Sequence, residues 1–225
     1  MRFWERHTFL TVLGVTLLLV AVAMLVPPEH IVEERYLPWQ IEPVGESIEV
    51  FGLTLGETTL AETEQRFLES AEVTLFVRDG RHVVEAYFDS VTLAQIRAKV
   101  VVSLAFSATE LEQIYQRGAR IAKMGDGGHK VTLSGADVEL SYRTPIDSIT
   151  YMPRATLSPE LVVRRFGEPI EQIEEPGVGQ HWLYPDRGLD LLLTERGSAV
   201  LQYVAPSHFE RLIAPLRALS APSGE

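Results

Sequence analysis

The chain has no cysteine among its 225 residues. That excludes disulfides, thiolate nucleophiles, cysteine metal ligands and a lipid-modified cysteine. An exported domain of this sequence must be held by its own core, which suits a bacterial periplasm. Histidine is scarce too. The six, at positions 7, 30, 82, 129, 181 and 208, never fall within four residues of one another, so the spacing of a structural zinc site is missing. No G-x-S-x-G, S-x-x-K, H-E-x-x-H or G-x-x-x-x-G-K-[ST] pattern occurs, which removes the commonest nucleophile, zinc and phosphate signatures. Positive charge is short: 20 Lys+Arg stand against 31 Asp+Glu, a net charge of −11. Such a balance repels phosphate backbones, so nucleic acid is not an expected partner.

What the sequence does have is one long apolar run. From Phe9 to Val26, FLTVLGVTLLLVAVAMLV carries no charge. As a helix it would extend roughly 27 Å, close to the hydrocarbon thickness of a bilayer. Arg2 and Arg6 precede it, whereas Glu29, Glu33 and Glu34 follow Pro27-Pro28. Positive charge stays in the cytoplasm, which places the remainder outside. The expectation is a single-pass inner-membrane protein: a cytoplasmic N-terminus and anchor at 1–26, membrane contact through residues 9–26, and a periplasmic bulk. Ala21-Val22-Ala23 keeps a second reading open, a cleaved signal and a soluble periplasmic product.

After a proline-rich linker at 27–45, helix and strand patterns alternate. Ser47–Phe51 alternates like a half-buried strand. Thr59 with Glu62 makes a capping pair for a helix with Leu60, Thr63 and Phe67 on one side. Val73–Val77 and Val83–Phe88 flank an Asp79-Gly80 turn, and Gln95–Ser103 adds another β run. Ser107 with Glu110 caps a second helix carrying Leu111, Ile114 and Tyr115. Lys130–Ser134 and Val138–Tyr142 read as a hairpin around Gly135-Ala136, and Ile149–Met152 as a strand. Ser158-Pro159-Glu160 opens a third helix with Leu161, Val162, Val163 and Phe166, closed by Gly167. A Glu/Pro/Gly-rich loop then runs to Gly179. Strands at 181–184, 189–194 and 199–204 follow, then a helix capped by Ser207 and Glu210. TLAETEQRF (59–67) and SPELVVRRF (158–166) share a hydroxyl cap, an Arg-Phe end and a following three-strand meander. The expected fold class is therefore α+β: an N-terminal transmembrane helix followed by helix-plus-antiparallel-sheet units in tandem, 46–154 and 155–218, with a disordered tail at 219–225.

The second unit carries a family pattern. Leu157-Ser158-Pro159-Glu160, Arg165-Phe166-Gly167-Glu168-Pro169, His181-Trp182-Leu183-Tyr184, Gly188-Leu189-Asp190-Leu191 and Val200-Leu201-Gln202-Tyr203-Val204 follow in an order that resembles the SmpA/BamE-like family. The same small α+β unit occurs in tandem in β-lactamase-inhibitor proteins. The resemblance covers residues 157–204; the first unit departs from it, with Leu68-Glu69 where Gly-x-Pro should follow Phe67. It implies a protein-binding or inhibitory module of the envelope, with no catalytic residues to carry over. Without a lipobox cysteine, an outer-membrane lipoprotein role is excluded.

One stretch concentrates reactive residue types: His181 to Asp190, HWLYPDRGLD. In a strand, Trp182 and Tyr184 share one face while His181 and Leu183 share the other; Asp186 and Arg187 fall in the turn and Asp190 in the next strand. This reads as a hairpin before an active site. No catalytic, cofactor-binding or metal-binding residue is expected here, in the loop bearing His129, or at Glu171, Glu174 and Glu175, which read as a solvated acidic loop. Trp182 and Tyr184 either cover the core beneath a helix or stand open as anchors for a partner. The last helix offers a second contact through Phe209, Leu212, Ile213 and Leu216. The expected function is a membrane-tethered periplasmic interaction or assembly module, non-enzymatic, with an envelope protein as partner. Two alternatives stay open. A small-ligand or lipid-binding envelope protein needs an apolar cavity; a hydrolase needs a histidine and an acid converging in a cleft.

Overall fold

Local chemistry starts the helices. In the computed structural model, which describes residues 36–125 and 127–220, Thr59 and Ser107 each form a capping box with the glutamate three residues on. They cap α1 (Leu60–Phe67) and α2 (Ala108–Gln116). Leu60, Thr63 and Phe67 are the buried side chains of α1, one stripe at helical spacing. Two further caps act alone: Ser134 for α3 (Gly135–Arg143) and Ser158, with Pro159 in the first turn, for α4 (Pro159–Phe166). The chain reaches α5 (Phe209–Ser220) through a 3-10 turn at Pro206–His208, in place of the expected Ser207 cap.

The strands are β1 (Ile41–Val44), β2 (Ser47–Val50), β3 (Leu53–Thr54), β4 (Glu72–Arg78), β5 (Arg81–Leu93), β6 (Ile96–Leu104), β7 (Arg120–Lys123), β8 (His129–Thr132), β9 (Ile146–Pro153), β10 (Glu171–Glu175), β11 (Gly179–Tyr184), β12 (Leu189–Thr194) and β13 (Ala199–Val204). The first three form a small sheet. The other ten form one antiparallel sheet in the order β10-β11-β12-β13-β9-β6-β5-β4-β8-β7.

This corrects the expected fold class. The chain is mostly β, and the segments 46–154 and 155–218 are not separate helix-plus-sheet repeats. β9, from the first segment, pairs with β13 on one side and β6 on the other, so a single sheet runs across the expected boundary. The described residues accordingly fall in one compact unit. Among them no helix is long and apolar enough to cross a membrane; the segment Phe9–Val26 lies outside the described residues. Three local expectations also change. Part of the expected linker is β1. Val138–Tyr142 is helical because the Ser134 hydroxyl accepts from Asp137 N–H, and Arg117 donates to the buried Asp137 carboxylate at 2.6 Å. The expected loop before Gly179 contains β10, an edge strand paired along its length with β11.

Strand alternation divides the large sheet into two faces. The larger core joins Leu60, Phe67, Ile114 and Phe166 of the helices to Val100, Val102, Tyr151 and Leu191 of the sheet. The small sheet packs there too: Phe51 lies 4.9 Å from the Tyr151 ring and 5.6 Å from the Tyr203 ring, centroid to centroid. On the opposite face a second cluster joins Ile173, Leu183 and Val204 to Phe209, Ile213 and Leu216 of α5. One glycine is demanded by geometry. Gly188, with φ 57°, closes the hairpin so tightly that a Cβ would stand 1.9 Å from the Val204 carbonyl oxygen.

Candidate functional site

The reactive hairpin folds as a charged clip. On β11, His181 Nδ1 lies 2.9 Å from both carboxylate oxygens of Asp190 on β12, and Nε2 lies 3.0 Å from Glu175 Oε2 on β10. Both His181 and Asp190 are buried. Desolvation opposes the imidazolium, but the hydrogen bonds and charges of Asp190, then Glu175, outweigh it and hold the histidine above its ordinary value. Strand alternation separates these side chains from Trp182 and Tyr184. Contrary to the expected acidic loop, the segment before Gly179 returns as a strand and brings Glu175 to the imidazole. With both ring nitrogens facing carboxylates, neither is left to activate a nucleophile. The cluster ties three strands together at the sheet edge.

Trp182 and Tyr184 do share one face, and that face is covered. Each is 5% exposed. The Tyr184 hydroxyl donates to the Gly167 carbonyl at 2.9 Å, and its ring lies 6.1 Å from that of Phe166 on α4. They are a lid on the core, so as open anchors they are set aside. The same correction applies to α5: Phe209, Ile213 and Leu216 are buried against Leu183 and Val204, and only Leu212 is partly exposed. The apolar stripe that looked available to a partner is the one that docks its own helix. Of the remaining sequence candidates, His129 begins β8, half-buried, and Glu171 pairs with Arg217 at 3.1 Å. Among the described residues no group is arranged to hold a metal ion.

In the helix-covered core a gap of about 20 Å³ lies beside Trp39, Tyr151 and Phe166, with room for a water molecule. The Tyr151 hydroxyl, buried with no hydrogen-bond partner among the described residues, lies at this gap, and burial raises its pKa.

The open space is on the other face. Glu85, Ser103, Ser148 and Val204 stand directly opposite one another on β5, β6, β9 and β13, one line across four strands on the side where α5 sits. α5 covers one part of this face. Beside it lies a groove of about 840 Å³, with Glu85, Ser103, Ser148 and Val204 in its lining. Arg78 and Arg81 line it at the β4–β5 hairpin, and Arg211, Leu212 and Pro215 line it from α5. A smaller depression of about 310 Å³ adjoins it and shares Arg78, Arg81, Val83 and Glu85. Burial raises the Glu85 carboxyl, with Arg78 opposing.

The groove also gathers hydrolase residue types without connecting them. His208 Nδ1 lies 3.5 Å from Asp147, which also takes Arg211 at 3.5 Å. The two serine hydroxyls bond each other at 2.6 Å, and neither is hydrogen-bonded to His208. The sequence carries a partial signal for this groove, since alternation alone puts Arg81, Val83 and Glu85 on one face. Nothing local announces that β9 and α5 will complete it. Comparison with known proteins adds no relative: no family model, curated protein or solved structure matches the chain.

Proposed function

We propose that this chain is an exported, non-enzymatic binding module of the bacterial envelope whose contact surface is the groove on the open sheet face. The observation that carries the proposal is the groove itself, about 840 Å³ of space lined by both apolar and charged side chains. Small-molecule sites typically occupy ~300–1,000 Å³ and combine those two kinds of lining. Export is supported by the sequence of Phe9–Val26 and its flanking charges under either reading of that segment. The SmpA/BamE-like pattern at 157–204 adds the envelope as the setting. Of the two binding readings, a small ligand is favoured over a protein partner, because the aromatic and helical anchors suited to a protein contact are used internally.

The test is native mass spectrometry of the full chain released from its own membrane fraction, compared with a Val83→Trp variant that fills the groove. Wild type should carry small molecules that the folded variant lacks. A wild type that carries none, or a folded variant that retains them, would overturn the proposal. Crosslinking that recovers a protein through groove residues would replace the small ligand with a protein partner.

A further inference from the structure

Two tyrosines on neighbouring strands are wholly buried, and only one of them is satisfied. Tyr203 on β13 donates its hydroxyl to the Pro38 carbonyl at 2.8 Å. Tyr151 on β9 is 0% exposed, yet its hydroxyl meets no hydrogen-bond partner among the described residues. A buried phenol normally finds one, because a dry donor forfeits the hydrogen bond it made with water. Tyr151 lines the gap of about 20 Å³ together with Trp39, Ile96, Leu161, Val162 and Phe166. A water stays in such a space when two or more polar groups hold it. The buried side chains of this wall offer the Tyr151 hydroxyl alone. That donor suits an acceptor atom on an otherwise apolar molecule.

Trp39 is the part of the wall that can yield. It stands half-buried on a turn before β1, whereas Phe166 is carried by α4 and Ile96 by β6. Ring contacts hold it: Phe166 lies 6.4 Å away, edge to face, and the Arg165 guanidinium lies over the indole at 4.5 Å. Its N–H has no hydrogen-bond partner among the described residues. We propose that the gap is the floor of a binding site gated by Trp39, which takes a neutral aromatic molecule with one hydrogen-bond acceptor, of the aryl ketone class. The ring replaces the indole against Phe166 and under the Arg165 guanidinium, which stacks on aromatic faces generally. The acceptor receives the Tyr151 O–H. Neutrality follows from that donor, since a carboxylate buried against one neutral hydroxyl would lack the hydrogen bonds it needs. Burial holds the phenol well above its ordinary range, so it donates at any physiological pH. The site lies on the helix-covered face of the sheet and is independent of the groove on the other. Because Trp39 must turn away first, the affinity is lowered by the small share of molecules that are open. The ligand therefore exchanges readily, and what survives native mass spectrometry reports on the groove.

The test uses the full chain in detergent micelles with isotope-labelled tryptophan. Its indole N–H signals come from Trp4, Trp39 and Trp182, and Trp39→Phe identifies the one that matters. Acetophenone, ethylbenzene and benzoate are titrated and compared at equal free concentration in water. Acetophenone should shift the Trp39 signal saturably, and further than it shifts that of Trp182. Ethylbenzene has nearly the same shape but no acceptor, and should need roughly tenfold more, the margin of one buried hydrogen bond. Tyr151→Phe removes only the hydroxyl and should bring acetophenone down to the ethylbenzene level. Val83→Trp, which fills the groove, should leave the acetophenone response unchanged. No saturable Trp39 shift, equal affinity for ethylbenzene, or an unchanged response in Tyr151→Phe would overturn the site. Benzoate binding as tightly as acetophenone would refute a neutral ligand. A response lost in folded Val83→Trp would move the ketone to the groove and sink the proposal. So would a water contact at the Tyr151 hydroxyl that persists under saturating acetophenone. The comparison of probes on wild type stands even if a variant fails to fold.

Discussion

Replacing His181 by leucine takes the cation out of a buried cluster and leaves its carboxylates behind. The His181 and Asp190 side chains are 10% and 6% exposed, whereas Glu175 is 30% exposed. Glu175 can turn to solvent in the variant, so its loss counts for little. Asp190 cannot, and removing one partner of a buried pair typically costs ~3–5 kcal/mol. The expected destabilisation is at the lower end, about 3 kcal/mol, because the Asp190 side chain keeps 6% of its surface open to water. Replacing both His181 and Asp190 by leucine should cost less than the two single changes added together, since no orphaned charge remains. pH supplies a second check. The folded-state pKa of His181 lies above its ordinary value of 6.5. Its extra stability is therefore fully present below that value and fades as pH rises through the folded pKa. The gap between wild type and variant should be widest near pH 6 and narrower near pH 9, where a neutral imidazole still donates one hydrogen bond. Urea unfolding followed by tryptophan fluorescence at both pH values measures it. A cost below ~1 kcal/mol, or a gap that widens with pH, would refute a buried imidazolium held between two carboxylates.

Other expectations concern single backbone and packing features. Leu68 follows α1 in the left-handed region, φ 54°, with 91% of its surface exposed; Leu68→Gly should raise stability by about 1 kcal/mol in the same assay, as glycine adopts that conformation freely. Gly188→Ala should lose at least ~1–3 kcal/mol or fail to fold, because its Cβ would collide with backbone that holds two strands. Phe209→Ala should cost ~3–4 kcal/mol and loosen α5, read as faster tryptic cleavage at Arg211 and Arg217. Protection of those sites equal to wild type would show that other contacts hold the helix.

The parts of this fold legible in the sequence are those whose causes lie within a few residues. Thr59 and Glu62, Ser107 and Glu110, and Ser158 with Pro159 announce helices because a cap is satisfied inside one turn. The separation of Trp182 and Tyr184 from His181 and Leu183 is equally local, since alternation follows from the pleat. Residues 138–142 show where this fails. Their pattern suits a hairpin, and the helix there is supported by Arg117, twenty residues away, at the Asp137 carboxylate.

Alternation likewise assigns side chains to faces but is silent about what covers each face. Tyr184 became core and α5 became a docked element only because Phe166 and Leu183 met them in space. The sequence by itself determined where helices begin, which side chains share a strand face, and the acidic balance of the chain. Tertiary structure alone decided that β9 would join the two halves into one sheet, that Glu175 and Asp190 would close on His181, and that residues from 78 to 215 would border one groove. The reason is that strand pairing is a contest among distant segments. Its outcome depends on the total burial each arrangement achieves, which no short window of residues contains.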